Sequence, residues 1–157
     1  MSSPPETDRQ YAYFRAIGED DPAEITSLLG FEPNRCWRVG DVFERRGHTF
    51  RRRSLSWKLD SRLDDTEALD LHIDALLARL SPRRDELLKI RVKFKTQIVC
   101  VGHSYQSFSW ELDFDAQRSA TALGIGFYID AYSFGDHHEE MVALREQLGV
   151  RAEGETT

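Results

Sequence analysis

Seven residues occur twice with little change: Ser54-Leu55-Ser56-Trp57-Lys58-Leu59-Asp60 and Ser107-Phe108-Ser109-Trp110-Glu111-Leu112-Asp113, 53 positions apart. In each copy an apolar residue takes every second position, and Ser, Lys, Glu or Asp fills the positions between. A two-residue period is the pattern of a strand with one buried face and one wet face. Read this way, Leu55, Trp57 and Leu59 join Phe108, Trp110 and Leu112 in the core, where each large side chain contributes roughly 1.5–3 kcal/mol by burial. Ser56, Lys58, Ser109 and Glu111 fall on the opposite face. The tryptophans are read as core residues rather than as platforms for a ligand.

Around the two copies the pattern alternates between strands and helices. Residues 1–10 read as a flexible tail, and Tyr11 to Ile17 as a strand. Asp21-Pro22-Ala23-Glu24 reads as a capped helix start with a capping box, Ile25, Leu28 and Leu29 as its apolar stripe, and Gly30 as its stop. Strands follow over Cys36–Phe43 and Thr49–Asp60. A long helix from about Thr66 carries Leu69, Ile73, Leu76, Leu77 and Leu80, until Ser81-Pro82 breaks it and starts another. Gln97–Ser104 and Ser107–Asp113 read as a hairpin, Ala116–Leu123 as a helix stopped at Gly124, and Phe127–Tyr132 as a strand. Asp136 and Glu139 cap a last amphipathic helix with Met141, Leu144 and Leu148 on one face. Residues 150–157 read as a second tail, which leaves 11–149 as a single α+β domain.

From the first repeat copy onward the order is strand, helices, strand, strand, helix, strand. That order is the ferredoxin-like, split βαβ plan, in which the two repeat copies would lie side by side in an antiparallel sheet. The expected fold is therefore α+β: a ferredoxin-like antiparallel sheet, an added N-terminal βαβ unit and a C-terminal helix.

Several short stretches together resemble a known family. They are Asp21-Pro22-Ala23-Glu24-Ile25, Leu29-Gly30-Phe31-Glu32-Pro33, Gly40, Trp57-Lys58-Leu59, Leu71-His72-Ile73 with Leu80-Ser81-Pro82, and Leu123-Gly124-Ile125-Gly126-Phe127-Tyr128-Ile129-Asp130-Ala131-Tyr132. In this order they resemble the bacterial proteins grouped as domain of unknown function 4279 (DUF4279), over about Tyr11 to Ser133. Each stretch is a cap, a glycine stop or a strand core. The resemblance implies no established activity and carries over no functional residue. Some members resemble immunity proteins of bacterial toxin systems, which makes an immunity-like role the lead it offers.

Composition narrows the function classes. The chain has 157 residues, 40% hydrophobic and 31% charged, with a formal net charge of −6. That acidity argues against bulk nucleic-acid binding, which normally shows an excess of Lys and Arg. No apolar run reaches spanning length, and the N-terminus lacks the regions of a secretion signal, so the expected location is cytoplasmic. Cys36 and Cys100 are too few for a disulfide framework and read as buried or inert thiols.

The strongest local charge anomaly is Arg45-Arg46-Gly47-His48-Thr49-Phe50-Arg51-Arg52-Arg53. Its guanidinium groups could hold phosphate or the carboxylates of a partner, and a solvated hairpin is the bland alternative. Adjacent His137 and His138 point about 100° apart on a helix and have no i, i+4 partner, so no metal is expected. His72 shares an apolar stripe and reads as a half-buried, hydrogen-bonded histidine. Gly124-Ile125-Gly126 follows a helix and precedes a strand, the reverse of a dinucleotide fingerprint. No catalytic residue and no cofactor are expected.

The expected function is thus a non-catalytic protein-binding domain, with Arg45, Arg46, Arg51, Arg52, Arg53, Lys58 and Glu111 as the partner-binding candidates. The alternative is a small-ligand domain or an enzyme with a pocket between the sheet and the N-terminal unit. The apolar face of the last helix reads first as packing on its own domain, with a homodimer through it as the second expectation.

Overall fold

The computed structural model describes residues 8–104, 109–133, 143–144 and 146–149. Strand β1 (Arg9–Gly18) already includes the last two residues of the expected tail. Gln10 anchors them, donating its N–H to the Asp65 carbonyl at 2.8 Å and accepting the Leu69 N–H on its side chain at 2.9 Å. Helix α1 (Pro22–Leu29) starts where Asp21 accepts the Ala23 N–H at 2.9 Å and stops at Gly30, φ 70°, the left-handed region that glycine enters without steric cost. The capping box is not closed, because Glu24 turns outward to Lys93 at 3.1 Å.

Where two long strands were expected over 36–60 there are four short ones: β2 (Arg35–Trp37), β3 (Val42–Arg45), β4 (His48–Arg51) and β5 (Leu55–Asp60). The interruption is local. Asp41 accepts the Arg38 N–H at 2.8 Å, and Arg52 exchanges 2.8 Å backbone bonds with Gly40 and Asp41. These bonds close β3 and β4 into a separate hairpin.

Helix α2 (Leu69–Leu80), a 3₁₀ turn at Ser81–Arg83 and α3 (Arg84–Ile90) follow the predicted spacing, with Leu69, Ile73, Leu76, Leu77 and Leu80 buried. After β6 (Lys95–Ser104), α4 (Phe114–Ala122) is capped by Asp113, which accepts the Ala116 N–H at 2.7 Å, and β7 (Gly126–Ser133) comes last.

The main sheet has the order β2-β5-β1-β6-β7. Its neighbours are antiparallel except for β6 and β7, so the sheet is mixed rather than wholly antiparallel. Strands β1 and β2 run parallel on either side of β5, and β5 and β6 run parallel on either side of β1. The N-terminal strand β1 is therefore the central strand of the sheet, interlocked between β5 and β6, rather than part of an outer addition.

Over its described residues the second repeat copy is not a strand. Ser107 and Phe108 lie outside the described residues, and 109–113 carries no strand. Both ladders of β6 are already taken by β1 and β7, and Asp113 is committed to capping α4. Trp110 and Leu112 still pack against the core from this irregular segment, so the apolar half of the pattern keeps its purpose.

Helices α1 to α4 contribute to a core on one face of the sheet, around Phe14, Trp57, Ile98 and Cys100. The Trp57 indole meets Phe14 edge-on at 6.0 Å and donates to the Thr26 hydroxyl at 3.0 Å, which satisfies its polar atom inside the core. Residues 143–144 and 146–148 are helical with Leu144 and Leu148 exposed, while Met141 and the expected helix start at Asp136 lie outside the described residues. Among the described residues no helix is long and apolar enough to cross a membrane.

Candidate functional site on the open face of the sheet

The face turned away from α1–α4 is built by the same two-residue period. In β1 the buried Ala12, Phe14 and Ala16 alternate with Tyr11, Tyr13 and Arg15. The register then sets Arg15 beside Lys58 of β5, and Lys58 beside Arg35 of β2. Tyr13 lies beside Val99 of β6, and Val99 beside Tyr128 of β7.

These side chains form one continuous ladder of rings and cations. Tyr132 stacks on His103 at 4.9 Å, His103 on Tyr11 at 6.2 Å, and Tyr11 on Tyr13 at 6.4 Å. Lys58 Nζ then lies 4.9 Å from the Tyr13 ring and 4.7 Å from that of Trp37. The Arg52 guanidinium continues the series, 3.9 Å from Trp37 and 3.8 Å from Phe43, and Phe43 stacks on Phe50 at 5.6 Å. Aromatic and cation–π contacts of this kind contribute about 0.5–1.5 kcal/mol each. The ladder crosses the sheet from β7 to β2 and then ties the β3–β4 hairpin onto it.

A row of three like charges crosses the ladder. Arg35, Lys58 and Arg15 stand directly opposite one another on adjacent strands, an arrangement that is unfavourable in a free sheet. Arg15 is held by the neutral Gln97 side chain at 2.9 and 3.1 Å and lies 4.8 Å from the Tyr128 ring. Partial burial, followed by the charges of Arg35, Arg15 and Arg52, holds the Lys58 ammonium below the usual lysine range. Burial also pushes the Tyr13 hydroxyl upward, so it remains a donor.

Comparison with known proteins now bears on identity. The family model Domain of unknown function (DUF4279) matches residues 8–134. The chain belongs to this family. No curated protein and no solved structure matches the chain. The DUF4279 region runs from β1 through β7 and so contains the whole ladder, while the helical residues 143–144 and 146–148 lie beyond it.

Within the DUF4279 region the candidate residues separate. Arg52 and Lys58 come together through Trp37. Arg45, Arg46, Arg51 and Arg53 are exposed on or beside the hairpin and are not rungs of the ladder, although Arg51 donates to the Gly40 carbonyl at 3.4 Å. Glu111 is exposed in the irregular segment before α4 and takes no position on the sheet face, because its copy of the repeat forms no strand. Tyr11, Tyr13, Arg15, Arg35 and Trp37 were missed. The signal was the alternation within 11–17, whose wet half is aromatic and basic.

At one end of this face lies a cavity of about 640 Å³ between β1, β5 and the loop after β5. Ser61 borders it and is hydrogen-bonded to Nδ1 of His72 at 2.5 Å. His72 is fully buried rather than half-buried, and its Nε2 has no partner. Of the two thiols expected to be buried or inert, Cys100 is buried and is pushed up to about 12 by desolvation, while Cys36 is exposed and partial burial raises its thiol as well. Among the described residues no group of three or more His, Cys, Asp or Glu is arranged to hold a metal ion.

Proposed function

We propose that this chain is a non-catalytic protein-binding domain on the ferredoxin-like plan, and that its partner sits on the open sheet face against the β3–β4 hairpin. The plan is supported by the interlocking of two split βαβ units, with β1, β2, β5 and β6 as its four strands and the hairpin and α4–β7 as additions. The binding reading rests on the ladder. Tyr, Trp and Arg are the residues that dominate protein interfaces, and here they are pre-ordered by one another before any partner arrives. An immunity-like role is one form such binding would take.

A single-stranded nucleic acid fits less well, because it needs free ring faces on which bases can stack. The faces of Tyr11, Tyr13 and Trp37 are already occupied by their neighbours in the ladder. The formal charge of −6 by itself favours a basic partner, but the row of Arg35, Lys58 and Arg15 makes this face locally complementary to an acidic one.

The test is partner recovery from a lysate of the source cell with tagged wild-type chain and two variants. Trp37→Ala breaks the ladder at its centre. Val92→Ser changes an exposed residue that follows α3, on the helix side. A partner recovered by wild type and by Val92→Ser, and lost with Trp37→Ala, supports the assignment; equal recovery by all three refutes it.

A further inference from the structure

We propose that the cavity beside Lys58 is a subsite for one carboxylate group, held between Arg35 and Lys58. This rests on the partner-binding reading and names the chemistry the partner presents: an Asp or Glu side chain, or a chain terminus.

The volume of about 640 Å³ is in the range of small-ligand sites. Four cations line it: Arg9, Arg35, Lys58 and Arg62. Three carboxylates line it as well, those of Asp60, Asp64 and Asp65. The lining therefore carries one net positive charge, which matches a monoanion and disfavours a dianionic phosphate.

The acids are also unevenly committed. Arg9 is paired with Asp65 at 2.6 Å, and Asp64 accepts from Thr66 at 2.8 and 3.0 Å. Arg35 and Lys58 form no ion pair among the described residues, although they stand directly opposite each other on β2 and β5 and Asp60 in the same lining acts on Lys58 through space. Two like charges so placed repel; a carboxylate between them turns the pair into two charge-assisted hydrogen bonds. A guanidinium fork fits the two oxygens of a carboxylate, and the ammonium adds a point charge. The Tyr13 hydroxyl on the cavity wall remains protonated and adds a third donor.

The experiment is an NMR titration of the full chain, following the Lys58 and Arg35 side-chain resonances. N-acetylglycinate supplies a free carboxylate, N-acetylglycinamide is its neutral control, and inorganic phosphate is the dianion control. A peptide ending in Asp-amide against one ending in a free carboxylate separates the side-chain source from the terminal one. Saturable shifts with N-acetylglycinate are expected, weakened about tenfold or more in Arg35→Gln and in Lys58→Gln and retained in Lys58→Arg. The subsite is overturned by no shift at millimolar ligand, by equal binding of the amide, by tighter binding of phosphate, or by unchanged affinity in both Gln variants. Such a failure alongside Trp37-dependent partner recovery removes the subsite only, whereas recovery independent of Trp37 removes the binding reading itself.

Discussion

Replacing Ser61 by Ala should destabilise the fold far more than the loss of one surface hydroxyl. His72 is fully buried, and of its two ring nitrogens only Nδ1 has a partner, the Ser61 hydroxyl at 2.5 Å. Deleting the hydroxyl removes a bond worth about 1 kcal/mol net and leaves a second buried polar atom unsatisfied, at about 1–3 kcal/mol. The expected loss is about 2–4 kcal/mol, which for a chain of this size lowers Tm by roughly 4–16 °C. Urea unfolding of Ser61→Ala should show a lower midpoint with an unchanged slope. His72→Leu removes both nitrogens together and should stay within about 1.5 kcal/mol of wild type. The double variant should then resemble His72→Leu alone, giving a coupling energy near the cost of Ser61→Ala. A Ser61→Ala loss under about 0.5 kcal/mol, or simple additivity in the double variant, would refute the idea that the hydroxyl is what satisfies the buried ring.

Three other outcomes follow from local geometry. A Cβ at Gly18 would lie 2.6 Å from Cδ1 of the buried Phe94 and 3.2 Å from the Lys93 carbonyl, so Gly18→Ala should cost about 1–3 kcal/mol in chemical denaturation. Native protein treated with a thiol alkylating agent at mildly alkaline pH should gain one adduct, at the exposed Cys36, and a second only after unfolding releases Cys100, whose thiol sits at about 12; two rapid adducts on folded protein would contradict this. The folded-state pKa of Lys58 is depressed below 10.5, so its charge destabilises the fold fully at neutral pH, and that cost is lost as pH rises through the folded value towards 10.5. The stability gap between Lys58→Met and wild type should therefore narrow over that window, and a gap that widens would show that desolvation and the neighbouring arginines do not dominate.

The helical parts of the fold were legible because each helix carries its own local signals. Asp21, Pro22 and Gly30 bracket α1, and the leucines from Leu69 to Leu80 keep their helical spacing. The sheet was less legible, since a two-residue period identifies a strand without naming its neighbours. Trp57 and Trp110 show the limit: identical local patterns, one in a central strand and one in an irregular segment, because β1 and β7 occupy both sides of β6. The site suffered from a related bias. A cluster of arginines in sequence drew attention to 45–53, yet only Arg52 joins the ladder, while Arg35, Lys58 and Arg15 become neighbours through pairing between strands up to 43 positions apart. Their charges are scattered along the chain and assembled by topology.

The interlocked order also dictates when the protein can fold during synthesis. The strand made first, β1, hydrogen-bonds to β5 and β6, and β6 begins only at Lys95. At about 5–20 residues per second, roughly 4–17 s separate the emergence of Arg9 from that of Lys95 on a ribosome. For that interval a segment bearing Tyr11, Tyr13 and Phe14 can pair only with β5, and the edge meant for β6 is open to other nascent chains. Loops this long make the closing contacts slow even once the partners exist. Ordering of the sheet thus waits for β6, and Tyr11, Tyr13 and Arg15 are the residues of the ladder face that wait longest for it.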